Sequence, residues 1–183
     1  MFFQKIPNIF TKSLSIIAGV VLALCIGVSV RMVKGHTPGL PPRPFENLLG
    51  EPAPIFELQG VDGQIVSLQN VDSSDARLLF FADSTCKACD VTFPTIKKIA
   101  EEISIIIVGV GDKDVLAHKL AQHDITVPTG YDELTTVKQL YGVKGFPCTM
   151  LIDQKGIVLD AAYGSTGVKH VMQTYKKMKK GGV

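Results

Sequence analysis

Two cysteines, separated by two residues, stand where an apolar run ends and a helical pattern begins. Residues 77–82 (RLLFFA) have the length and composition of a buried strand. Beyond Cys86 and Cys89, apolar residues recur at steps of three and four, as on one face of a helix: Phe93, Ile96, Ala100 and Ile103. The sequence therefore predicts that both sulfurs lie at the N-terminal end of a helix that follows a central strand.

This position gives the first cysteine its chemistry. The first backbone N–H groups of a helix have no intrahelical partner and carry the positive end of the helix dipole. Both effects favour a thiolate, so we expect the pKa of Cys86 to lie below that of a free thiol, and Lys87 adds an activating positive charge next to it. Cys86 is then the attacking, more exposed thiol. Cys89, one turn later, is the more buried thiol that resolves a mixed disulfide.

Two other interpretations of the cysteine pair stay open, a disulfide kept only for stability and a zinc site. Zinc in proteins normally has four Cys or His ligands. The four histidines are scattered along the chain and none neighbours the motif: His36, His118, His123 and His170. We therefore predict no metal and no cofactor beyond a redox-active Cys86–Cys89 disulfide.

Strand and helix patterns alternate through the rest of the domain. Apolar strand patterns lie at residues 55–58, 65–68, 104–110, 149–152 and 157–159. The first two flank Asp62-Gly63, a hairpin turn signal. Helical patterns lie at residues 115–120, 132–141 and 168–178. The order predicts an α/β fold with a mixed central sheet, helices on both faces and an N-terminal β-hairpin.

The run 78–103, with its strand, CxxC motif and helix, resembles the first half of the thioredoxin superfamily. The second half is matched by residues 141–153 (YGVKGFPCTMLID) followed by Gly156, which resemble the superfamily's cis-proline, strand and Asp-x-x-Gly turn. The resemblance covers about residues 52–177 and implies a thioredoxin-like fold. It also implies that Pro147 is a cis-proline facing the disulfide, and that Phe146 and Pro147 bind the substrate, whose chain pairs with the backbone like a strand.

Within this superfamily the chain resembles the membrane-tethered thiol–disulfide proteins of the TlpA and ResA type. Residues 80–89 (FFADSTCKAC), the Phe-Pro pair and residues 164–170 (GSTGVKH) are similar more specifically to the MauD proteins of methylamine dehydrogenase maturation. The chain departs from its relatives at Thr85, often Trp, at Lys87-Ala88, which lacks a proline, and at Thr92, an acid in cytochrome-maturation relatives. The last departure weakens a role in cytochrome c maturation.

A third cysteine, Cys148, directly follows the expected cis-proline. From that position we expect it near the Cys86–Cys89 pair, as a candidate third thiol for an alternative disulfide or for Cu(I). The alternative is a small buried residue that starts a core strand.

The N-terminal part of the chain has the pattern of a membrane anchor. Residues 13–30 (SLSIIAGVVLALCIGVSV) carry no charge and would span about 27 Å as a helix, close to the hydrocarbon core. A cleaved signal peptide is the alternative, but Val28-Ser29-Val30 fits its cleavage site poorly. Because prolines cluster after this run, we predict an anchor at residues 1–34, a Pro-rich linker at 35–50 and a thioredoxin-like domain at 51–183.

Charge excludes one class of partner. Residues 1–50 hold five basic residues and one acidic residue, which leaves 14 of the 19 basic and 16 of the 17 acidic residues in the rest of the chain. A slightly acidic domain argues against a nucleic-acid partner, which needs a basic face.

Anchor and motif together predict the function. We expect a single-pass inner-membrane protein whose soluble domain faces the periplasm or the cell exterior, where disulfides persist. There it would act as a thiol–disulfide oxidoreductase on cysteine-containing exported proteins, forming or isomerising disulfides, with a membrane or soluble redox partner. The MauD resemblance adds methylamine dehydrogenase maturation as a context. The alternatives are a thiol reductase of the cytochrome c maturation type and a Cu(I)-binding chaperone that uses the CxxC pair.

Overall fold

The computed structural model describes residues 45–60, 63–69 and 76–181. Within these ranges the chain forms seven strands and four helices, in this order: β1 (Glu57–Gly60), β2 (Ile65–Ser67), β3 (Arg77–Asp83), α1 (Lys87–Ile99), β4 (Ser104–Val110), α2 (Lys113–Gln122), β5 (Thr129–Tyr131), α3 (Thr136–Leu140), β6 (Cys148–Ile152), β7 (Val158–Tyr163) and α4 (Ser165–Gly181).

The predicted anchor at residues 13–30 and most of the linker lie outside the described residues. No helix in the described part is long and apolar enough to cross a bilayer.

The two strands of the predicted N-terminal hairpin, β1 and β2, pair antiparallel, with Leu58 opposite Val66. Residues 61–62, which include half of the predicted hairpin turn, also lie outside the described part.

The strands form one mixed sheet in the order β2-β1-β5-β4-β3-β6-β7. β3 pairs in parallel with β4, from Arg77 opposite Ser104 onward, and antiparallel with β6, where Phe81 lies opposite Cys148. The C-terminal end of β3 and the N-terminal end of β6 therefore meet at one edge of the sheet. We call this the active edge: it holds the CxxC motif, which follows β3, and the Phe146–Pro147 pair, which precedes β6.

Side chains of β3 alternate between two apolar clusters, one on each face of the sheet. Leu78 and Phe80 belong to the first cluster, together with buried residues of α1, α2 and α4: Phe93, Ile96, Leu116, Leu120, Val168 and Val171. Leu79 and Phe81 belong to the second cluster, together with Val137 of α3 and Tyr141. This alternation is what period-two side-chain geometry requires of a strand covered on both faces. The predicted thioredoxin-like α/β architecture, a mixed sheet with helices on both faces, is thus confirmed.

One helix is shorter than its sequence pattern predicts. A helix was expected over residues 132–141, but α3 occupies Thr136–Leu140. Asp132 is buried, and its carboxylate accepts hydrogen bonds from the backbone N–H groups of Val137 at 3.2 Å and Lys138 at 2.7 Å. Thr135 has a left-handed backbone (φ 55°), which a continuous right-handed helix does not contain. The segment before α3 is therefore a turn that caps the helix from outside.

The packed domain also reaches into the range assigned to the linker. Phe45 is buried, and its ring centroid lies 4.8 Å from that of Tyr163 in β7. The backbone N–H of Gly50 donates to the carbonyl of Val158 at 2.8 Å. Proline content indicates an extended chain, but it carries no signal for the docking of one aromatic ring.

Candidate active site

Cys86 caps the helix that carries Cys89. Cys86 is the N-cap residue of α1, with an extended backbone (φ −78°, ψ 104°), and its sulfur accepts a hydrogen bond from the backbone N–H of Cys89 at 3.0 Å. Ser, Thr, Asp and Asn use a side-chain oxygen in the same way at helix N-termini. The N–H of Cys89 also donates to the carbonyl of Cys86 at 3.1 Å, so the sulfur shares this donor at the positive end of the helix dipole. This position favours negative charge on the sulfur.

The turn before Cys86 is shaped by Asp83. Its carboxylate accepts hydrogen bonds from the backbone N–H of Thr85 at 2.7 Å and from the Thr85 hydroxyl at 2.6 Å. Its carbonyl accepts the N–H of Cys86 at 3.1 Å. The same turn is tied to the next loop by Ser84, whose hydroxyl oxygen accepts the N–H of Asp112 at 2.9 Å. These bonds hold the sulfur of Cys86 in a fixed position at the active edge.

Cys86 and Cys89 form a disulfide, with Cα atoms 5.3 Å apart. Cys86 is partly exposed, whereas Cys89 is completely buried in the first cluster. The predicted order of exposure is confirmed, while the roles of attack and resolution stay predictions. Because Cys89 is completely buried and Cys86 is partly exposed, Cys86 is the member of the disulfide that a thiol from another protein can approach.

The second half of the active edge is the Phe146–Pro147 pair. The peptide bond between these residues is cis, as the resemblance implies. Pro147 is buried, and Phe146 is partly buried and packs against both clusters. The ammonium of Lys138 lies 5.4 Å from the centroid of the Phe146 ring. Substrate binding by Phe146 and Pro147 stays a prediction, as does activation by Lys87, which is exposed at the first position of α1.

An ion pair beside the disulfide was not predicted from the sequence. Lys119 of α2 places its Nζ 2.9 Å from a carboxylate oxygen of Asp90, and the two side chains are 20% and 34% exposed. The pair joins α2 to the first turn of α1 and neutralises the acidic side chain nearest to Cys89 in sequence. Its members are 29 residues apart, so no local pattern in the sequence could indicate it.

The structure shows on which face of the sheet Cys148 packs, whereas its expected closeness to the Cys86–Cys89 pair stays a prediction. Cys148 is a free, fully buried cysteine in the second cluster, whereas Cys89 belongs to the first cluster on the other face of the sheet. The pairing with Phe81 explains this, because directly opposed residues of an antiparallel pair point to the same face. Burial raises the pKa of Cys148 to about 12, so it stays a thiol near neutral pH. The structure thus favours the packing role over the third-thiol role.

Comparison with known proteins places the domain in a family. The sequence model of the AhpC/TSA family matches residues 49–161 of this chain. The chain belongs to the AhpC/TSA family. In three dimensions this AhpC/TSA domain is similar to the crystal structure of a DsbE-type thiol:disulfide interchange protein from Chlorobium tepidum. The TM-score is 0.62 and the identity 25%, over 69% of this chain and 96% of the other.

Two relatives of known name are similar to this chain over most of its length. The thiol:disulfide interchange protein DsbE of Pseudomonas fluorescens biotype C is 31% identical over 155 residues, which are 78% of this chain and 82% of that protein. The methylamine utilization protein MauD of Methylorubrum extorquens is 28% identical over 137 residues, which are 73% of this chain and 65% of that protein. With the paired cysteines, these similarities make the chain a thioredoxin-like thiol–disulfide oxidoreductase.

The burial of Cys148 predicts a specific dependence of stability on pH. In the unfolded chain its thiol ionises near its ordinary pKa of 9.0, but in the fold its pKa is raised to about 12. The contribution of the neutral Cys148 thiol to the free energy of unfolding is therefore fully present below about pH 9. It is lost as pH rises toward about 12, because the unfolded state then binds fewer protons than the folded state. From pH 8 to pH 10 the oxidised wild type should lose about 1 kcal/mol more of its free energy of unfolding than Cys148→Ala loses. Urea titrations at both pH values measure this, and equal losses would show that Cys148 titrates normally in the fold.

Proposed function

We propose that this chain is a membrane-anchored oxidoreductase that forms or isomerises disulfides in exported proteins. The observation that carries the proposal is the hydrogen bond from the Cys89 N–H to the sulfur of Cys86, in a disulfide whose partly exposed member is Cys86. It supports an accessible sulfur that is both a good point of attack and a good leaving group.

The exchange balances as a two-electron transfer. A client thiolate attacks the sulfur of Cys86, the bond to Cys89 breaks, and Cys89 leaves as a thiolate that takes up a proton. A second client thiolate then attacks the client sulfur of the mixed disulfide and releases Cys86 as a thiolate at the helix N-terminus. The client dithiol is oxidised, the Cys86–Cys89 pair is reduced, and a separate redox partner has to reoxidise that pair.

The direction of exchange is proposed from the same hydrogen bond. A donor aimed at Cys86 stabilises the reduced, thiolate form of the pair relative to the disulfide. Stabilising the reduced form raises the reduction potential and makes the disulfide a stronger oxidant. The exposed Lys87 acts in the same sense, because its positive charge is adjacent to Cys86.

The client is proposed as an exported cysteine-containing protein. Similarity to MauD supports a client in methylamine dehydrogenase maturation, although the matched stretch spans only 65% of that protein.

No observation in the described part of the chain favours the two alternative functions, a reductase of cytochrome c maturation and a Cu(I)-binding chaperone. At position 92 a buried threonine, whose hydroxyl donates to the carbonyl of Ala88 at 2.6 Å, stands where reductases of cytochrome maturation carry an acid. Cys148, the third Cu(I) ligand of the copper hypothesis, lies on the other face of the sheet from Cys89.

Anchoring is proposed from the uncharged run at residues 13–30. The full-length chain should remain in the membrane pellet after extraction with alkaline carbonate, because a spanning helix is not released by disrupting electrostatic contacts. Replacing two leucines of the run, Leu22→Arg and Leu24→Arg, should move it to the supernatant, since each charge opposes insertion. Recovery of the unaltered chain in the supernatant would contradict an uncleaved anchor.

Cysteine variants test the exchange and its direction. The oxidised full-length chain should accelerate disulfide formation in a reduced, unfolded client more than it accelerates the reduction of insulin. Cys86→Ala should lower both rates to the uncatalysed level. Cys89→Ser cannot form the disulfide and so should not oxidise the reduced client, but its Cys86 thiolate should attack a disulfide of insulin and accumulate the mixed disulfide, because the resolving thiol is missing. Cys148→Ala, the matched control, should keep both rates. Full activity of Cys86→Ala would exclude the proposed exchange, and faster insulin reduction than client oxidation would reverse its direction.

A further inference from the structure

We propose that Lys138 is a specificity-determining residue of the active edge, which selects client segments with a carboxylate next to the reactive cysteine. The inference rests on the thiol–disulfide exchange proposed above and adds the chemical class of the segment that exchanges fastest.

Lys138 reaches the active edge through Phe146. The pairing of Phe81 with Cys148 places Phe146 and Pro147 beside the end of β3, next to the turn that leads to Cys86. The ammonium of Lys138 lies 5.4 Å from the centroid of the Phe146 ring, a favourable cation–π distance. A segment that binds along Phe146 and Pro147 therefore passes a positive charge.

The helix that carries Lys138 is held in place on both sides. The buried carboxylate of Asp132 accepts the backbone N–H of Lys138 itself at 2.7 Å. Val137, the preceding residue, is buried in the second cluster. After the helix, the hydroxyl of Tyr141 donates to the carbonyl of Pro54 at 2.6 Å. The lysine thus extends from a fixed backbone, so little ordering is needed before it meets a ligand.

The charge of Lys138 is not neutralised by the described part of the protein. Three other lysines of the described domain pair with carboxylates: Lys97 with Asp124, Lys119 with Asp90 and Lys176 with Glu102. Among the described residues no carboxylate forms an ion pair with Lys138. Its ammonium is therefore available to an acidic group from another molecule.

The acidic side chains of this region are engaged elsewhere or lie further along the sheet. Asp83 accepts hydrogen bonds from Thr85, and Asp90 is paired with Lys119. The carboxylate of Asp132 accepts the backbone N–H groups of Val137 and Lys138. Three further carboxylates follow strands β4 and β5 and line a polar pocket beside Tyr131, together with Lys113: Asp112, Asp114 and Glu133. The sheet edge thus changes from acidic beyond β4 and β5 to basic beside β6. A client with a carboxylate on the Phe146 side of its cysteine matches this polarity.

Peptide pairs test the inference in the full-length, oxidised chain. Two single-cysteine peptides differ only by Glu or Gln next to the cysteine, and stopped-flow fluorescence gives the rate of mixed-disulfide formation with Cys86. Each rate is divided by the rate of the same peptide with glutathione disulfide, which removes the intrinsic difference between the thiols. The normalised Glu/Gln ratio for the wild type should be about two- to fivefold at low salt, and it should fall toward one at high salt.

The variants assign this preference to Lys138. Lys138→Gln should bring the ratio to about one by slowing the Glu peptide much more than the Gln peptide, and Lys138→Arg should keep the wild-type ratio. The control Lys97→Gln, which breaks an exposed ion pair toward the other end of α1, should also keep it. An unchanged ratio in Lys138→Gln, or equal loss of both rates, would overturn the inference. Equal reaction of both peptides with the wild type would overturn only the specificity, whereas no reaction with either would overturn the proposed function as well.

Discussion

A backbone N–H directed at a sulfur is the interaction on which the chemistry of this domain depends. The N–H of Cys89 can point at Cys86 only because Cys86 is the N-cap of α1. The position of that helix is set in turn by its buried face, where Phe93 and Ile96 are completely enclosed in the first cluster. The hydrophobic core thus orients the helix, and the helix terminus supplies the partial positive charge that a thiolate needs.

The second constraint is the register of the central strands. Parallel pairing with β4 and antiparallel pairing with β6 bring the end of β3 and the Phe146–Pro147 pair to one edge of the sheet. The same register turns Cys148 away from the disulfide, toward the second cluster. Cys86 and Cys89 therefore form a disulfide at the helix N-terminus, while Cys148 packs in the core.

Much of the fold and the core of the site could be predicted because their signals are local. β3, β4 and α1 follow from apolar periodicity, and the position of Cys86 follows from the boundary between strand and helix. The shortened α3 could not be predicted, because it depends on a buried Asp132 that bonds to N–H groups five and six residues later. The Asp90–Lys119 pair and the face of Cys148 depend on tertiary contacts and strand register, which a single sequence does not encode as a pattern.

Titration of the reduced chain tests most directly whether the helix terminus activates Cys86. Thiolate absorbance near 240 nm, followed from about pH 3 to pH 10 in wild type and in Cys86→Ala, isolates the ionisation of this one sulfur. Stabilisation by the helix N-terminus predicts that the pKa of Cys86 lies clearly below that of a free thiol. A pKa equal to that of a free thiol would show that the N-cap does not activate the sulfur.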